Sequence, residues 1–182
     1  MSPDERKIYL TFDDGPVPDV TPGLLDVLKE ENIRATFFCV GENVEKHPEL
    51  YSRVLAEGHA VGNHTYNHLN GWKTHGNQYI RNVLKCAACV DSKLFRPPYG
   101  RAKKSQMAML SGQYRIIMWD VLSYDYDKST SPEQCLRNVS DHVRNGSVIV
   151  FHDSLKAQRN MEYTLPRFIR FAKDQGFAFG TL

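Results

Sequence analysis

The sequence predicts an α/β fold built on a parallel sheet of about seven strands. Three observations lead there. Short apolar runs alternate with amphipathic segments along all 182 residues. Several of those runs are continuous rather than alternating, as strands are when both faces of a sheet are covered. Strict strand–helix alternation then forces parallel pairing through right-handed crossovers. The outcome is either a barrel or a doubly wound open sheet. Seven units fall short of the eight in a complete barrel, which takes roughly 250 residues.

In chain order, the first strand is KIYLTF (7–12), and the stretch TPGLLDVLKEEN opens the first helix, with Thr21 as its expected N-cap and Pro22 at the first helical position. ATFFCV (35–40) is the second strand, followed by the helical stretch NVEKHPELYSRVLAEG. HAVGN (59–63) is a short strand before a helix around 77–91, and KLFR (93–96) precedes a helix around 102–111. YRIIMW (114–119) reads as the fifth strand; a polar loop then leads to a helix opened by SPEQ, where Ser131 caps. SVIVFH (147–152) precedes a helix at about 161–175, and FAFGTL closes the chain as the seventh strand. No linker, repeat or low-complexity tract divides residues 1–182, so a single domain is expected.

Composition narrows the function. A hydrophobic share of 41% and a charged share of 24% are those of an ordinary globule. The net charge of +2, with no basic run longer than Lys103–Lys104, argues against a nucleic-acid partner. The apolar runs are too short to span a bilayer. MSPDERK contains no apolar h-region, so no signal peptide is read; we expect a cytoplasmic protein, or an extracytoplasmic one whose leader has been removed, and a monomer. Of four cysteines, only Cys86 and Cys89 have motif spacing, and no second pair completes a zinc site. They fall in a helical stretch and read as semi-buried small residues.

In parallel α/β folds, functional groups gather beyond the carboxyl ends of the strands. Following each predicted strand, one finds Asp13 and Asp14; then His64 and His68; then Arg96 and the PPYG segment; then Asp120, Asp125 and Asp127; then His152 and Asp153. These would converge on one rim. His64 and His68 are four apart, a spacing that on a helical turn puts both imidazoles on one face to share a cation. His47 and His142 read as solvated, His59 as pointing to the opposite rim, and His75 as a loop residue. The adjacent carboxylates Asp13 and Asp14 gain a use: one neutralised by a divalent cation, the other free to take a proton from water that the cation acidifies. Two histidines and one carboxylate with open positions form a catalytic type of mononuclear site.

Taken together, TFDDGP, HTYNH, RPPYG, the SYDY loop and VIVFHD occur in an order that resembles the polysaccharide deacetylases of carbohydrate esterase family four, over about residues 7–180. The resemblance implies a distorted (β/α) barrel of about seven parallel strands and metal-dependent hydrolysis of acetyl groups on sugars. It implies Asp13 as general base, Asp14, His64 and His68 as metal ligands, and Arg96 as the residue that orients ionised Asp13. It further implies that the Tyr99 backbone N–H helps bind the oxyanion, that His152 is the general acid, and that Asp125 keeps it protonated. The ion would be zinc, with cobalt, nickel or manganese able to serve.

Two positions depart from the family pattern. Its fourth motif usually reads Asp-x-x-Asp-Trp, where this chain has Leu122 and Tyr126, and Val150 stands where a Leu commonly lines the acetyl pocket. Tyr126, Val150 and Pro98 are therefore expected around the substrate. Trp72, in a loop beside the ligands, is expected to stack on sugar rings, as are Tyr66 and Tyr99, while Trp119 ends a strand and reads as core. The leading activity is removal of N-acetyl groups from a chitin-like or peptidoglycan-like glycan. The alternatives are an O-acetyl esterase acting on acetylxylan or another glycan, a catalytically silent carbohydrate-binding relative, and a thiol module built on Cys86 and Cys89.

Overall fold

The computed structural model describes residues 6–182. Residues 1–5, the start of the segment read as lacking a signal sequence, lie outside the described residues. The organising strand is β1 (Lys7–Asp13), which alternates as a strand must. Ile8, Leu10 and Phe12 are fully buried in the main hydrophobic core. Thr11 and Asp13 occupy the alternate positions and so face the opposite side of the sheet, also buried.

Around it run α1 (Thr21–Glu30), β2 (Thr36–Cys39), α2 (Gly41–Lys46), α3 (Pro48–Ala56), β3 (Ala60–Asn63), α4 (Gly76–Ala87) and β4 (Leu94–Phe95). There follow α5 (Lys104–Leu110), β5 (Arg115–Ile116), β6 (Val121–Leu122), α6 (Pro132–Ser140), β7 (Val148–His152), α7 (Gln158–Asp174) and β8 (Ala178–Gly180). The sheet order is β5-β4-β3-β2-β1-β7-β6, with β8 set against the lower half of β1, and every pairing is parallel. The all-parallel sheet is what the alternation implied, and the distorted (β/α) barrel is the one the resemblance implied. Register aligns Phe37, Phe12 and Phe151 across β2, β1 and β7, with ring centroids 5.2 and 6.0 Å apart. Fully burying each such ring contributes about 1.5–3 kcal/mol, so this ladder fixes the three strands whose upper ends carry the chemistry. No helix among the described residues is long and apolar enough to cross a membrane.

The fifth strand differs from expectation. The run 114–119 is not one strand. The Ile117 N–H still bonds Phe95 O on the β4 side, whereas the Asp120 N–H bonds Val148 O on the β7 side. The chain therefore crosses from one sheet edge to the other, and no pairing joins β5 to β6 among the described residues. Eight strands result among the described residues where about seven were expected. Trp119, read as core, lies in this crossing and is only partly buried. Asp120, expected at the functional rim, is instead tied to the Val148 N–H and the Ser147 hydroxyl at the start of β7.

Thr21 does not cap α1. It is the first helical residue, and its hydroxyl accepts the Val17 N–H at 2.7 Å and donates to Asp153 at 2.8 Å. The stretch after β2 splits into two helices at Pro48, whose ring cannot continue the preceding one. Ser131 caps α6 as read, accepting the Gln134 N–H. Cys39, Cys86 and Cys135 are buried, all four cysteines are unpaired, and burial pushes the Cys86 thiol up to about 12. Buried thiols of this kind are inert. Cys89 is partly exposed, but the cluster of ligand-type side chains found among the described residues contains neither Cys86 nor Cys89, which leaves a thiol module without support.

Candidate active site

The upper ends of β1, β3, β4 and β7, with the loops beyond them, surround a cavity of about 250 Å³. It is lined by Asp13, Asp14, His64, His68, Tyr99, Arg101, Trp119, Leu122, Tyr126, Val150, His152 and Lys156. A larger, shallower depression of about 620 Å³ lies around Arg34 and His59 near the opposite strand ends. Volume alone would favour it, but the convergent titratable groups are in the smaller cavity, and those decide where chemistry can occur.

Asp13 is the last residue of β1 and points into the barrel. Its Oδ1 accepts a hydrogen bond from Arg96 at 2.7 Å. Arg96 is wholly buried, also donates to Thr11 Oγ1 and to Ile117 O, and lies 4.0 Å from the Phe38 ring centroid. The other Asp13 oxygen, Oδ2, lies 3.9 Å from His64 Nε2. The carboxylate is thus held at one oxygen and presented at the other.

Asp14 follows at the turn with φ of +90°. Its Oδ1 is 3.1 Å from His68 Nε2 and 3.9 Å from His64 Nε2. Burial opposes ionisation of Asp14, but the His68 imidazole in contact with it, together with His152 and His64, outweighs burial and holds the carboxyl well below the usual carboxylate range. His64 Nδ1 donates to the Arg96 carbonyl at 2.8 Å, which fixes the tautomer and leaves the Nε2 lone pair facing Asp14. Burial lowers the His64 pKa to about 4, keeping it neutral as a ligand must be.

The 64–68 segment is not a helical turn. Thr65 and His68 both have left-handed φ values of 64° and 59°. Local side chains impose that path: Asn63 Oδ1 accepts the Thr65 N–H, Thr65 Oγ1 accepts the Leu69 N–H, and Asn82 of α4 holds the Tyr66 N–H. The spacing therefore brings the imidazoles together, but through a clamped loop rather than a helix face.

Asp14, His64 and His68 each offer a ligand atom within 4.8 Å of the others. Asp14 Oδ1 is buried yet forms no well-aligned hydrogen bond, although His68 Nε2 stands near it. Two imidazole nitrogens thus lie 3.1 and 3.9 Å from this oxygen. An acceptor orphaned beside two ring nitrogens fits a cation, and the nitrogen–oxygen donor set suits zinc.

Across the cavity, His152 ends β7. Its Nδ1 and backbone N–H both bond the Asp125 carboxylate, each at 2.7 Å. Burial alone would lower the His152 pKa. The Asp125 charge and hydrogen bond, with Asp14 and Asp13 behind them, instead raise it to about 9. Asp125 is buried, and its carbonyl accepts from Asn160 of α7. Tyr126 packs edge-on against His152 at 4.9 Å, and Val150 and Leu122 line the cavity beside it.

Other expected positions lie elsewhere. Trp72 is 59% exposed, donates its Nε1–H to Ala102 O and is not among the cavity-lining residues. Pro98 is buried behind Tyr99 and does not line the cavity either. Tyr66 is held by Glu45 at 2.6 Å, with Lys85 over its ring. Asp127 binds Ser129 at the surface. Asp153 supports the turn, its two oxygens accepting the Gly15 N–H and the Thr21 hydroxyl. A Cβ at Gly15 would meet Asp153 Oδ2 at 1.8 Å. Gly15→Ala is therefore expected to lower stability by about 2–4 kcal/mol through overpacking and a lost buried hydrogen bond, read as a reduced midpoint in denaturant.

Arg101, Lys156 and the exposure of Trp119 were not expected from the sequence. Arg101 directly follows the RPPYG segment, and Lys156 lies four residues after His152. Their nearness to two strand ends was the available signal.

The chain is similar to known proteins. A polysaccharide deacetylase family profile matches residues 1–112. A peptidoglycan-N-acetylglucosamine deacetylase of Bacillus cereus is 36% identical over 98% of this chain and 67% of its own length. One from Listeria monocytogenes is 35% identical over 97% of this chain, which spans only 38% of that protein. The crystal structure of the Bc1960 peptidoglycan N-acetylglucosamine deacetylase, in complex with 4-naphthalen-1-yl-N-oxidanyl-benzamide, superposes with a TM-score of 0.93 at 34% identity. It covers 98% of this chain and 87% of that one.

Proposed function

This chain belongs to the polysaccharide deacetylase family, and on that premise we propose that it hydrolyses N-acetyl groups on amino sugars of a peptidoglycan-like or chitin-like glycan. One divalent cation, zinc in our reading, is held by Asp14, His64 and His68. The observation that carries this reading is the arrangement in one cavity: a ligand triad flanked by Asp13–Arg96 on one side and His152–Asp125 on the other.

A cation bound there supplies a Lewis acid that polarises the acetyl carbonyl and acidifies water near neutral pH. Asp13, with Oδ2 free and Oδ1 anchored by Arg96, removes the proton from the attacking water. The Tyr99 N–H, at a backbone turn with φ of 61°, is a donor to the oxygen that gains charge. Breaking the amide requires a proton on the departing nitrogen, and His152 delivers it from Nε2 because Asp125 occupies Nδ1. Leu122, Val150 and Tyr126 form the apolar wall against which the acetyl methyl group packs.

The test is acetate release from chitooligosaccharides, peptidoglycan, acetylxylan and an aryl acetate. Chelator is expected to abolish release from the N-acetylated substrates, and zinc to restore it. Release that ignores both chelator and metal would end this reading. Release from acetylxylan alone would replace it with an O-acetyl esterase.

A further inference from the structure

Two cations line the cavity, and the reaction just described uses neither. The Lys156 ammonium, in the turn between β7 and α7, is 3.4 Å from Asp14 Oδ2 and 5.6 Å from the Tyr126 ring centroid. The Arg101 guanidinium, just beyond Tyr99, stands 5.0 Å from the Trp72 ring. No carboxylate pairs with it among the described residues.

The other charges are already balanced: Asp13 by Arg96, and Asp125 by His152. The carboxylate beside Lys156 is the one a divalent cation would take. That cation would be met by Oδ1, with Oδ2 still beside Lys156. One carboxylate balances only half of a divalent charge, so the cavity with Lys156 and Arg101 carries an excess of positive charge. A neutral glycan would leave them merely solvated, whereas a carboxylate on the sugar would complete them.

We propose that Lys156 and Arg101 form an anion subsite that selects acetylated glycans carrying a carboxylate on the reacting sugar or its neighbour. This rests on the deacetylase reading and deepens it. The carboxylate could belong to a lactyl ether or to a uronic acid, and both present the same group.

The experiment compares kcat/KM, at saturating zinc, for oligosaccharides of equal length. These are a neutral N-acetylglucosamine oligomer, one bearing lactyl ether carboxylates, the same compound amidated, and one bearing uronic acids. The wild type is expected to prefer a carboxylate-bearing substrate over the amidated or neutral one by about ten-fold, the scale of two partly exposed ion pairs. High salt should erode that preference. The ratio should fall toward one in K156M and R101M and reach it in the double variant. Preference for the lactyl or the uronate arm supports the subsite and names its source. Equal kcat/KM for charged and amidated substrates, or a preference that survives both substitutions, overturns it. Absence of acetate release from every substrate would overturn the parent reading instead.

Discussion

Asp13→Asn is expected to slow acetate release by about 10²–10⁴-fold, the range for loss of a general base. The amide keeps an oxygen that can accept from Arg96, but the atom replacing Oδ2 cannot take a proton. The same change leaves Arg96 buried and uncompensated, which costs about 3–5 kcal/mol where a buried pair is broken from one side. The two effects are separable. Adding Arg96→Met to Asp13→Asn removes the orphaned charge, so thermal stability should recover while activity stays lost. A double variant that regains activity along with stability would show that Asp13 acts as a structural partner rather than as the base.

His152→Ala should be comparably damaging to amide cleavage, by about 10²–10⁴-fold, and much milder for an aryl acetate. An aryl ester releases a stabilised phenoxide, whereas an amide nitrogen must be protonated to depart. Equal losses on both substrates would rule out the acid role. The pH dependence gives an independent check. With its pKa raised to about 9, His152 is protonated at neutral pH and loses its proton as pH climbs through that value. The kcat/KM profile should therefore fall on its basic side, near or somewhat below 9, because a cation on Asp14 cancels part of that residue's pull. Asp125→Asn removes the largest favourable contribution, and the basic limb should move to lower pH. Linkage has the same sign. The raised pKa contributes stability that is complete below about 6.5 and fades as pH rises through about 9.

Much of the site could be read from residue type and position alone. Asp13, Asp14, His64, His68, Arg96 and His152 sit at or just beyond strand ends, and parallel topology brings such positions to one rim whatever the loop details. What failed depended on knowledge of the sheet edges. The run 114–119 has strand composition, but a strand needs a neighbour. Here the chain leaves one edge at Ile117 and meets the other at Asp120, which strips Trp119 of the cover assumed for it. Thr21 had the right type and place for an N-cap, yet a buried Asp153 oxygen competes for its hydroxyl. Lys156 and Arg101 carry no periodic signature, because long side chains from irregular loops are placed by the cavity they enter rather than by their own backbone. The His64–His68 convergence was anticipated from helical geometry and is achieved by Asn63, Thr65 and Asn82 instead.

The placement of β8 bears on how β1 is held. Its residues Ala178–Gly180 lie beside Lys7–Tyr9, in the half of the barrel remote from the catalytic mouth. Deleting that short strand would therefore strip backbone partners from the lower half of β1 while leaving the opening itself untouched.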